Sequence, residues 1–265
     1  MTHLIYDQSS FLIVGILLAF LVFGIEAGYR IGQKRQARFS ESARTQINSM
    51  RTSMLGLLAL LLGFTFAQSL QRLDARSSAV VDEANAIGTA YLNAQLAPPS
   101  VREPAQSLLR DYLDVRIQEA EMSLANPEEE SLLLQAQRKQ AGIWQYARQA
   151  AAEDGGPVTA LFTQSICELI DSFGRREAEI TRHVPEIVLL VLFVTFIMTG
   201  FVVGASSGAE GHRPSFVSYV AAAVIILVVF VVIDLDRPRR GLIEVPRDSL
   251  VDLQATICVE NETGD

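Results

Sequence analysis

The sequence has few of the residues, and lacks the motifs, that most often carry catalysis or metal binding. Only two of its 265 residues are cysteine, Cys167 and Cys258, and their separation matches no metal-ligand spacing. A phosphate-binding glycine loop, a GxSxG nucleophile elbow and an HExxH zinc motif are all missing. We therefore expect no enzymatic activity, no cofactor and no bound metal ion. Because Cys167 lies among Ile166, Leu169 and Ile170, we expect its thiol to be buried.

Positive charge is also scarce. The formal net charge is −8, from 22 lysines and arginines against 30 acidic residues, so nucleic acid is not an expected partner. The segment before Phe11 contains no lysine or arginine, and no small-residue cleavage pattern precedes the basic stretch that follows it. This argues against a cleaved signal peptide, and we expect the first apolar segment to stay attached.

Long apolar runs are what the sequence has instead. Four of them are close to the roughly 20 residues that a helix needs to cross a hydrocarbon core about 30 Å thick, at 11–29, 54–70, 187–206 and 216–234. The lipid bilayer is therefore the first expected partner. Apart from Asp234, the last residue of the fourth run, the one charge within these runs is Glu26, which either extends to the interface beside Arg30 or has a function inside the membrane.

The second apolar run has no signal to end it at the membrane surface. No proline lies between Met54 and Pro98, and no glycine lies between Gly63 and Gly88. We predict one helix that continues until Pro98 and Pro99 stop it. At about 1.5 Å per residue its length is about 66 Å, so its second half must stand outside the lipid.

Start and stop signals predict three more helices before Pro185. We expect Pro104 to open one, Asn126-Pro127-Glu128 to open the next, and Gly155-Gly156-Pro157 to separate that helix from the last. The predicted fold class is all-α, with four transmembrane helices and an extramembrane four-helix bundle inserted between spans 2 and 3. The expected parts are a first transmembrane pair with a basic cytoplasmic loop (1–70), the bundle (71–185), a second transmembrane pair (186–234) and a C-terminal tail packing on the bundle (235–265).

Small residues recur at helical spacing in three of the apolar runs. Such faces let helix backbones approach closely, which is a main mode of helix association in lipid. They pack helices either within one subunit or between subunits around an axis. The glycine-rich stretch 204–211 also predicts a short turn between spans 3 and 4. The helix-packing glycines are Gly24, Gly28, Gly32, Gly56, Gly63, Gly200 and Gly204.

Charges of both signs cluster where spans 2, 3 and 4 should meet water on the bundle side. We expect either a salt-bridge network, in which residues from the end of span 4 pair with Arg76 and Glu83, or an ion vestibule. A metal site including His183 is a third interpretation, although acids two residues apart at a helix end need no metal. This charge band comprises Asp74, Arg76, Asp82, Glu83, Glu186, Asp234, Asp236 and Arg237.

The orientation follows from the loop between spans 1 and 2. Its six basic residues against one acid favour a cytoplasmic position, which places the N-terminus, the insert and the C-terminus in the periplasm. The basic sequence DRPRR after span 4 argues in the opposite direction. We follow the first span, where the asymmetry is larger.

Three stretches resemble a bacterial membrane family of unknown function that is known as bestrophin-like. They are LLALLLGFTFAQSLQRLDAR, VVDEANAIGTAYLNAQL and FVSYVAAAVIILVVFVVIDLDRPRRGLI. Bestrophins are pentameric anion channels with four spans per subunit, a cytosolic insert and a narrow neck lined by the second span. The resemblance therefore implies a homo-oligomer, with a pentamer as the bestrophin arrangement, in the bacterial inner membrane and with inorganic ions as partners.

Two classes of function are compatible with these patterns. One is an oligomeric ion channel or pore, whose lining we predict as Leu57, Leu61, Phe64 and Gln68 of span 2. Acids at its mouth favour cations, which is opposite to the anion preference that the resemblance implies. The other is a non-conducting membrane scaffold or sensor whose bundle binds a partner.

Overall fold

A computed structural model of the protein describes residues 10–122, 128–236, 243 and 245–263, and all regular structure in these ranges is helical. The predicted all-α class is therefore confirmed. In chain order the α-helices are α1 (Ser10–Arg35), α2 (Glu41–Ala94), α3 (Pro99–Glu121), α4 (Glu128–Glu153), α5 (Pro157–Thr181), α6 (Glu186–Glu210), α7 (Phe216–Leu235) and α8 (Asp248–Thr263), with a short 3₁₀ helix at Gln36–Arg38.

The chain divides into two compact units. The first, here named the apolar unit, comprises Met1–Arg72 and His183–Arg237, and the second, the bundle unit, comprises Leu73–Arg182 and Pro238–Asp265. Helix α2 runs through the division without a break. Among the described residues, four helices are long and apolar enough to cross a membrane: α1, α2, α6 and α7.

The core of the apolar unit is mostly aliphatic. Leu17, Leu21 and Ile25 of α1 are buried there together with Leu58 of α2 and Phe196 of α6. Burying side chains of this size contributes about 1.5–3 kcal/mol each in water, but inside lipid their close packing replaces that term. For helices in lipid, the closeness of the packing between them therefore determines how strongly they associate.

The glycine-rich stretch 204–211, expected to be a turn, is helical as far as Glu210. The turn begins only at Gly211, whose φ of 82° is left-handed and suits glycine at a helix end. The expectation was wrong because the small residues of 204–208 serve helix packing, which keeps this part of α6 helical.

The proline that begins the helix after α2 is not the one that we predicted from the sequence. Helix α3 begins at Pro99, which takes the first helical position, and Pro104 lies inside the helix. Both prolines suit the first position of a helix, and the helix begins at the first of the two in chain order. Pro104 has no N–H to donate to the carbonyl four residues earlier, at Ser100.

The core of the bundle unit is built from one stripe of each helix. Ala90 and Ala94 of α2, Leu109 of α3, Ile143 of α4 and Phe162 of α5 have no exposed surface. These residues belong to one cluster, which also contains the buried Leu250 and Ile257 of the C-terminal helix α8. Small side chains on α2 let the larger ones of the other helices approach it closely.

Cys167 is exposed, contrary to the expectation of a buried thiol, and Cys258 is exposed and unpaired as well. The neighbouring Ile166 and Leu169 are fully buried on the inner face of α5. Successive helical residues are rotated by about 100°, so Cys167 lies beside that face and points outward. Apolar neighbours in the sequence were therefore a poor guide to its burial.

Candidate functional site

A seam of glycines brings α1 and α6 into backbone contact in the apolar unit. A Cβ added at Gly28 would collide with the carbonyl oxygen of Phe201, and one at Gly32 would collide with that of Ala205. From the other side, a Cβ at Gly204 would collide with the carbonyl of Ile25. Gly24 lies in the same seam, and a Cβ at Gly200 would meet the side chain of Leu21 at 2.5 Å. These glycines pack two helices of one chain together.

The glycines of α2 have a different environment. A Cβ added at Gly56 or Gly63 would meet no atom within 4 Å in the described part of the chain, apart from the adjacent residues and the backbone of α2 itself. Both lie on a side of α2 away from its buried stripe of Leu58, Leu62 and Thr65. This side of α2 is left open by the fold of the single chain.

The predicted pore-lining residues lie next to that open side. Leu57 is 46% exposed and Phe64 is 61% exposed. Gln68 is also exposed, whereas Leu61 is partly buried and packs against the core of the apolar unit. Three of the four are therefore accessible on the single chain, and the fourth contributes to its packing.

The residues of the charge band differ in their exposure and in their bonding partners. Asp74 and Asp82 are exposed on α2. Arg76 is buried and donates to the carbonyl oxygens of Glu179 (Nε, 3.1 Å) and Arg182 (Nη2, 2.7 Å). It thereby satisfies free carbonyls at the end of α5.

Asp236 has a structural position at the start of α6. Its carboxylate accepts the backbone N–H of Val184 through both oxygens, at 3.1 and 3.0 Å, and its carbonyl oxygen lies 3.1 Å from Nδ1 of His183. Asp234 is buried nearby in sequence at the end of α7. The side chain of Glu186 and all of Arg237 lie outside the described residues. Among the residues described, no three histidine, cysteine or acidic side chains are grouped as a metal site.

Glu26 of α1 bonds to Arg30 one turn later. Arg30 Nε lies 2.6 Å from Glu26 Oε1, and both side chains are well exposed. An ion pair between neighbouring turns reduces the cost of a charge near the end of an apolar helix.

Glu83 lies at the centre of a buried polar cluster in the bundle unit. Its Oε1 accepts from Arg116 Nε at 2.8 Å and from Tyr112 Oη at 2.9 Å. Its Oε2 accepts from Arg176 Nη1 at 2.5 Å and from Arg116 Nη2 at 3.2 Å. Neither Glu83 nor Arg116 has any exposed side-chain surface. Bonds to both oxygens from three side chains fix the carboxylate in one orientation.

A second layer of bonds completes this Glu83 cluster. Arg176 also pairs with Glu119 at 3.2 Å, Arg116 pairs with Glu177 at 3.1 Å, and Gln140 donates to Tyr112 Oη at 3.1 Å. The cluster therefore connects α2, α3, α4 and α5. The described partners of Glu83 come from α3 and α5, and Arg237, which we expected as a partner, lies outside the described residues.

Electrostatics within the cluster keep Glu83 ionised. Burial alone would raise the pKa of Glu83, but Arg116 and Arg176 outweigh burial and lower the pKa from 4.5 to about 2. Burial raises the pKa of Tyr112, and the charge of Glu83 raises it further. The pKa of Glu177 is raised by burial, which its pairing with Arg116 only partly offsets. Glu83 is therefore enclosed in the bundle unit, with its charge balanced by two buried arginines.

Comparison with known proteins identifies the family. A family model described as the Bestrophin-like domain matches residues 13–250. The chain belongs to the bestrophin-like family. A crystal structure of a point variant of a bacterial bestrophin homologue from Klebsiella pneumoniae matches this bestrophin-like chain with a TM-score of 0.63. The alignment covers 94% of this chain and 99% of that one at 15% identity, a level at which the likeness shows the fold alone. No curated protein matches the chain.

Sequence reasoning missed the two arginines that hold Glu83. Arg116 follows the buried Tyr112 by four residues, and Arg176 follows the buried Phe173 by three. Continuing each apolar stripe by one turn would have placed both inside the bundle. Arg116 also lies over the ring of Phe173, with its guanidinium carbon 4.7 Å from the ring centroid.

Proposed function

We propose that this bestrophin-like chain is a multi-pass protein of the bacterial inner membrane whose subunits assemble into an ion channel. In this proposal α1, residues 54–70 of α2, α6 and α7 cross the bilayer, and the helices between spans 2 and 3 form an extramembrane bundle. Family membership, the shared fold and the four apolar helices support it. The observation that carries it is the open side of α2 in the apolar unit.

The open side of α2 supports a homo-oligomer. Within the chain α2 buries one stripe, whereas the glycine seam shows how closely α1 and α6 approach when small residues meet. Gly56 and Gly63 offer a surface of the same type with no partner in the described part of the chain. Small residues at such a surface favour contact with a helix of another subunit. A pentamer is the arrangement that bestrophins suggest.

Such an assembly would place Leu57, Phe64 and Gln68 of each subunit near a common axis. A lining of this kind is mostly apolar, and apolar constrictions close a pore by excluding water. We therefore propose a narrow pore that is closed at rest. The pore would have a weak preference for cations, because Asp74 and Asp82 of the charge band are exposed acids, whereas Glu83 is neutralised by arginines.

Planar-bilayer recordings under a KCl gradient test the channel and its selectivity together. We expect Phe64→Ala to pass more current than wild type because it widens the constriction, with a reversal potential of the sign for cations. Phe66→Ala is the matched control, since Phe66 lies two positions further on and faces another side of α2. A reversal potential of the opposite sign would favour the anion preference of bestrophins. If neither wild type nor Phe64→Ala conducts, a non-conducting scaffold or sensor replaces the channel.

We further propose that the loop between α1 and α2 faces the cytoplasm and that the bundle unit faces the periplasm. The basic residues of 30–53 carry this assignment, and Arg213, in the turn between α6 and α7, adds one more to the same membrane side. The exposed Cys167 and Cys258 should react with a membrane-impermeant maleimide in intact spheroplasts. In a variant lacking both, Ala37→Cys should react only after permeabilisation. The reverse pattern would place the bundle in the cytosol, as in bestrophins.

A further inference from the structure

A cleft in the apolar unit opens between the helices that we propose to be membrane spans. Its volume is about 220 Å³. Its walls are apolar, and residues from α1, α2, α6 and α7 contribute to them, among them Leu21, Ile25, Leu58, Phe196 and Ala222. A cavity of about 150 Å³ lined by such side chains binds benzene, so this cleft has room for a segment of hydrocarbon.

The cleft also has polar groups, contributed by the sequence next to the apolar runs. Arg51 lines it from α2, before residues 54–70 begin, Ser215 lines it from the position just before α7, and Ser218 lines it from the first turn of α7. The Ser215 side chain does not cap the backbone of α7, and its Oγ lies 3.4 Å from that of Ser218. The cleft therefore combines hydroxyl groups and one guanidinium with apolar walls.

Arg51 supplies a positive charge to the cleft. Within the part of the chain that the structure describes, the Arg51 side chain forms no hydrogen bond or ion pair. It lies close enough to Glu210 for a longer-range electrostatic attraction. Glu210 is already bonded to Asn48 Nδ2 at 2.9 Å and to His212 Nε2 at 2.8 Å. A half-buried guanidinium that lines the same cleft as two serines is suited to an oxygen-rich anion such as phosphate.

We propose that this cleft binds an anionic phospholipid, with part of an acyl chain between the helices and the phosphate on Arg51 and the serines of α7. The inference rests on the proposed membrane position of these helices. Lipid is then the most abundant ligand beside the cleft, and basic pockets between membrane helices bind anionic headgroups. The basic loop at the same side of the apolar unit would further attract such lipids.

Native mass spectrometry of the full chain in neutral detergent tests the proposal. Delipidated protein would be titrated with phosphatidylglycerol and, separately, with phosphatidylcholine. We expect phosphatidylglycerol to bind more tightly. Arg51→Gln should weaken its binding about tenfold, equivalent to about 1.4 kcal/mol, and Arg51→Lys should restore part of the loss. Arg38→Gln, an exposed arginine of the basic loop that does not line the cleft, should change it little.

A second pair of variants tests the acyl-chain half of the cleft. Ala222→Phe should fill it and weaken both lipids, whereas Ala223→Phe, on an exposed position of the same helix that does not line the cleft, should not. Equal binding of the two lipids to wild type, or equal effects within either variant pair, would overturn the proposal. So would full displacement of phosphatidylglycerol by millimolar inorganic phosphate, which would reveal a free-anion site. A change of oligomeric state in Ala222→Phe, with no lipid bound to wild type, would assign the cleft to a second copy of the chain.

Failure of this inference can be told apart from failure of the proposed function. A chain recovered in the membrane fraction and conducting ions, yet binding no phosphatidylglycerol, would remove the lipid site alone. A chain that does not fractionate with membranes would remove both.

Discussion

Replacing Glu83 by glutamine should destabilise the bundle unit by about 3 kcal/mol. The carboxylate accepts hydrogen bonds from Tyr112, Arg116 and Arg176 in a site with no solvent exposure. Its pKa of about 2 instead of 4.5 corresponds to about 3 kcal/mol of preferential stabilisation of the ionised form, at about 1.4 kcal/mol per unit. Breaking a buried ion pair from one side typically costs about 3–5 kcal/mol, which agrees in size.

The measurement uses the single tryptophan of the chain. Trp144 lies on α4 of the bundle unit, so its emission during denaturant unfolding in detergent reports on this unit. Asp82→Asn is the matched control, because Asp82 precedes Glu83 on the same helix but is exposed. We expect the control to change the free energy of unfolding by less than about 0.5 kcal/mol. Equal midpoints for the two variants would refute the assignment of the Glu83 cluster as a stabilising element.

A double substitution separates loss of the ion pair from a general loss of packing. Glu83→Gln combined with Arg176→Gln removes an acid and a base together. The double variant should be less unstable than the sum of the two single ones, with a coupling of about 0.5–3 kcal/mol. Strict additivity would mean that the two side chains act independently despite the 2.5 Å between them.

The remaining predictions concern pH and the two kinds of glycine. The folded-state pKa of Glu83 is depressed, so its contribution is complete above about pH 4.5 and is lost as the pH falls toward 2; the stability difference between wild type and Glu83→Gln should narrow over that window in unfolding curves. Gly28→Leu should destabilise the apolar unit by about 3 kcal/mol or more, seen as loss of folded protein in size-exclusion chromatography, since its side chain meets the backbone of α6. Gly63→Leu should leave the single chain folded, because no atom of the described chain outside α2 lies near it, but should weaken the oligomer in native mass spectrometry.

Each of these predictions has an outcome that contradicts it. Glu177, with its pKa raised by burial, acts with the opposite sign on stability as the pH falls, so only the difference between wild type and Glu83→Gln is diagnostic. A difference that stays constant from pH 4.5 to 2 would contradict the depressed pKa. Equal effects of Gly28→Leu and Gly63→Leu on folded yield would contradict the distinction between a seam within the chain and an open face of α2.

Local patterns in the sequence were sufficient for the helical class and for the apolar segments. Helix formation depends on hydrogen bonds between residues four apart and on the spacing of apolar side chains, and both can be read from a short window. That is why the continuous helix through residues 54–94, the start near Glu128 and the break at Gly155-Gly156 could be predicted. The predictions at Pro104 and at 204–211 were wrong because each local signal is compatible with two structures. Either proline can begin a helix, and a glycine-rich stretch can form a turn or pack as a helix.

Which residues meet was decided only by the tertiary structure. Glu83 is bonded to residues 33 and 93 positions further along the chain, and no periodicity specifies a pairing over that distance. Gly28 of α1 and Gly63 of α2 are the same residue type in the middle of apolar helices, yet Gly28 lies against α6 and Gly63 lies open. Cys167 differs from Ile166 by one position and by about 100° of rotation, which alone decides that one is exposed and the other buried. Which helices touch depends on how their axes approach one another in space. No single local pattern determines that approach, because it results from all the contacts of the chain together.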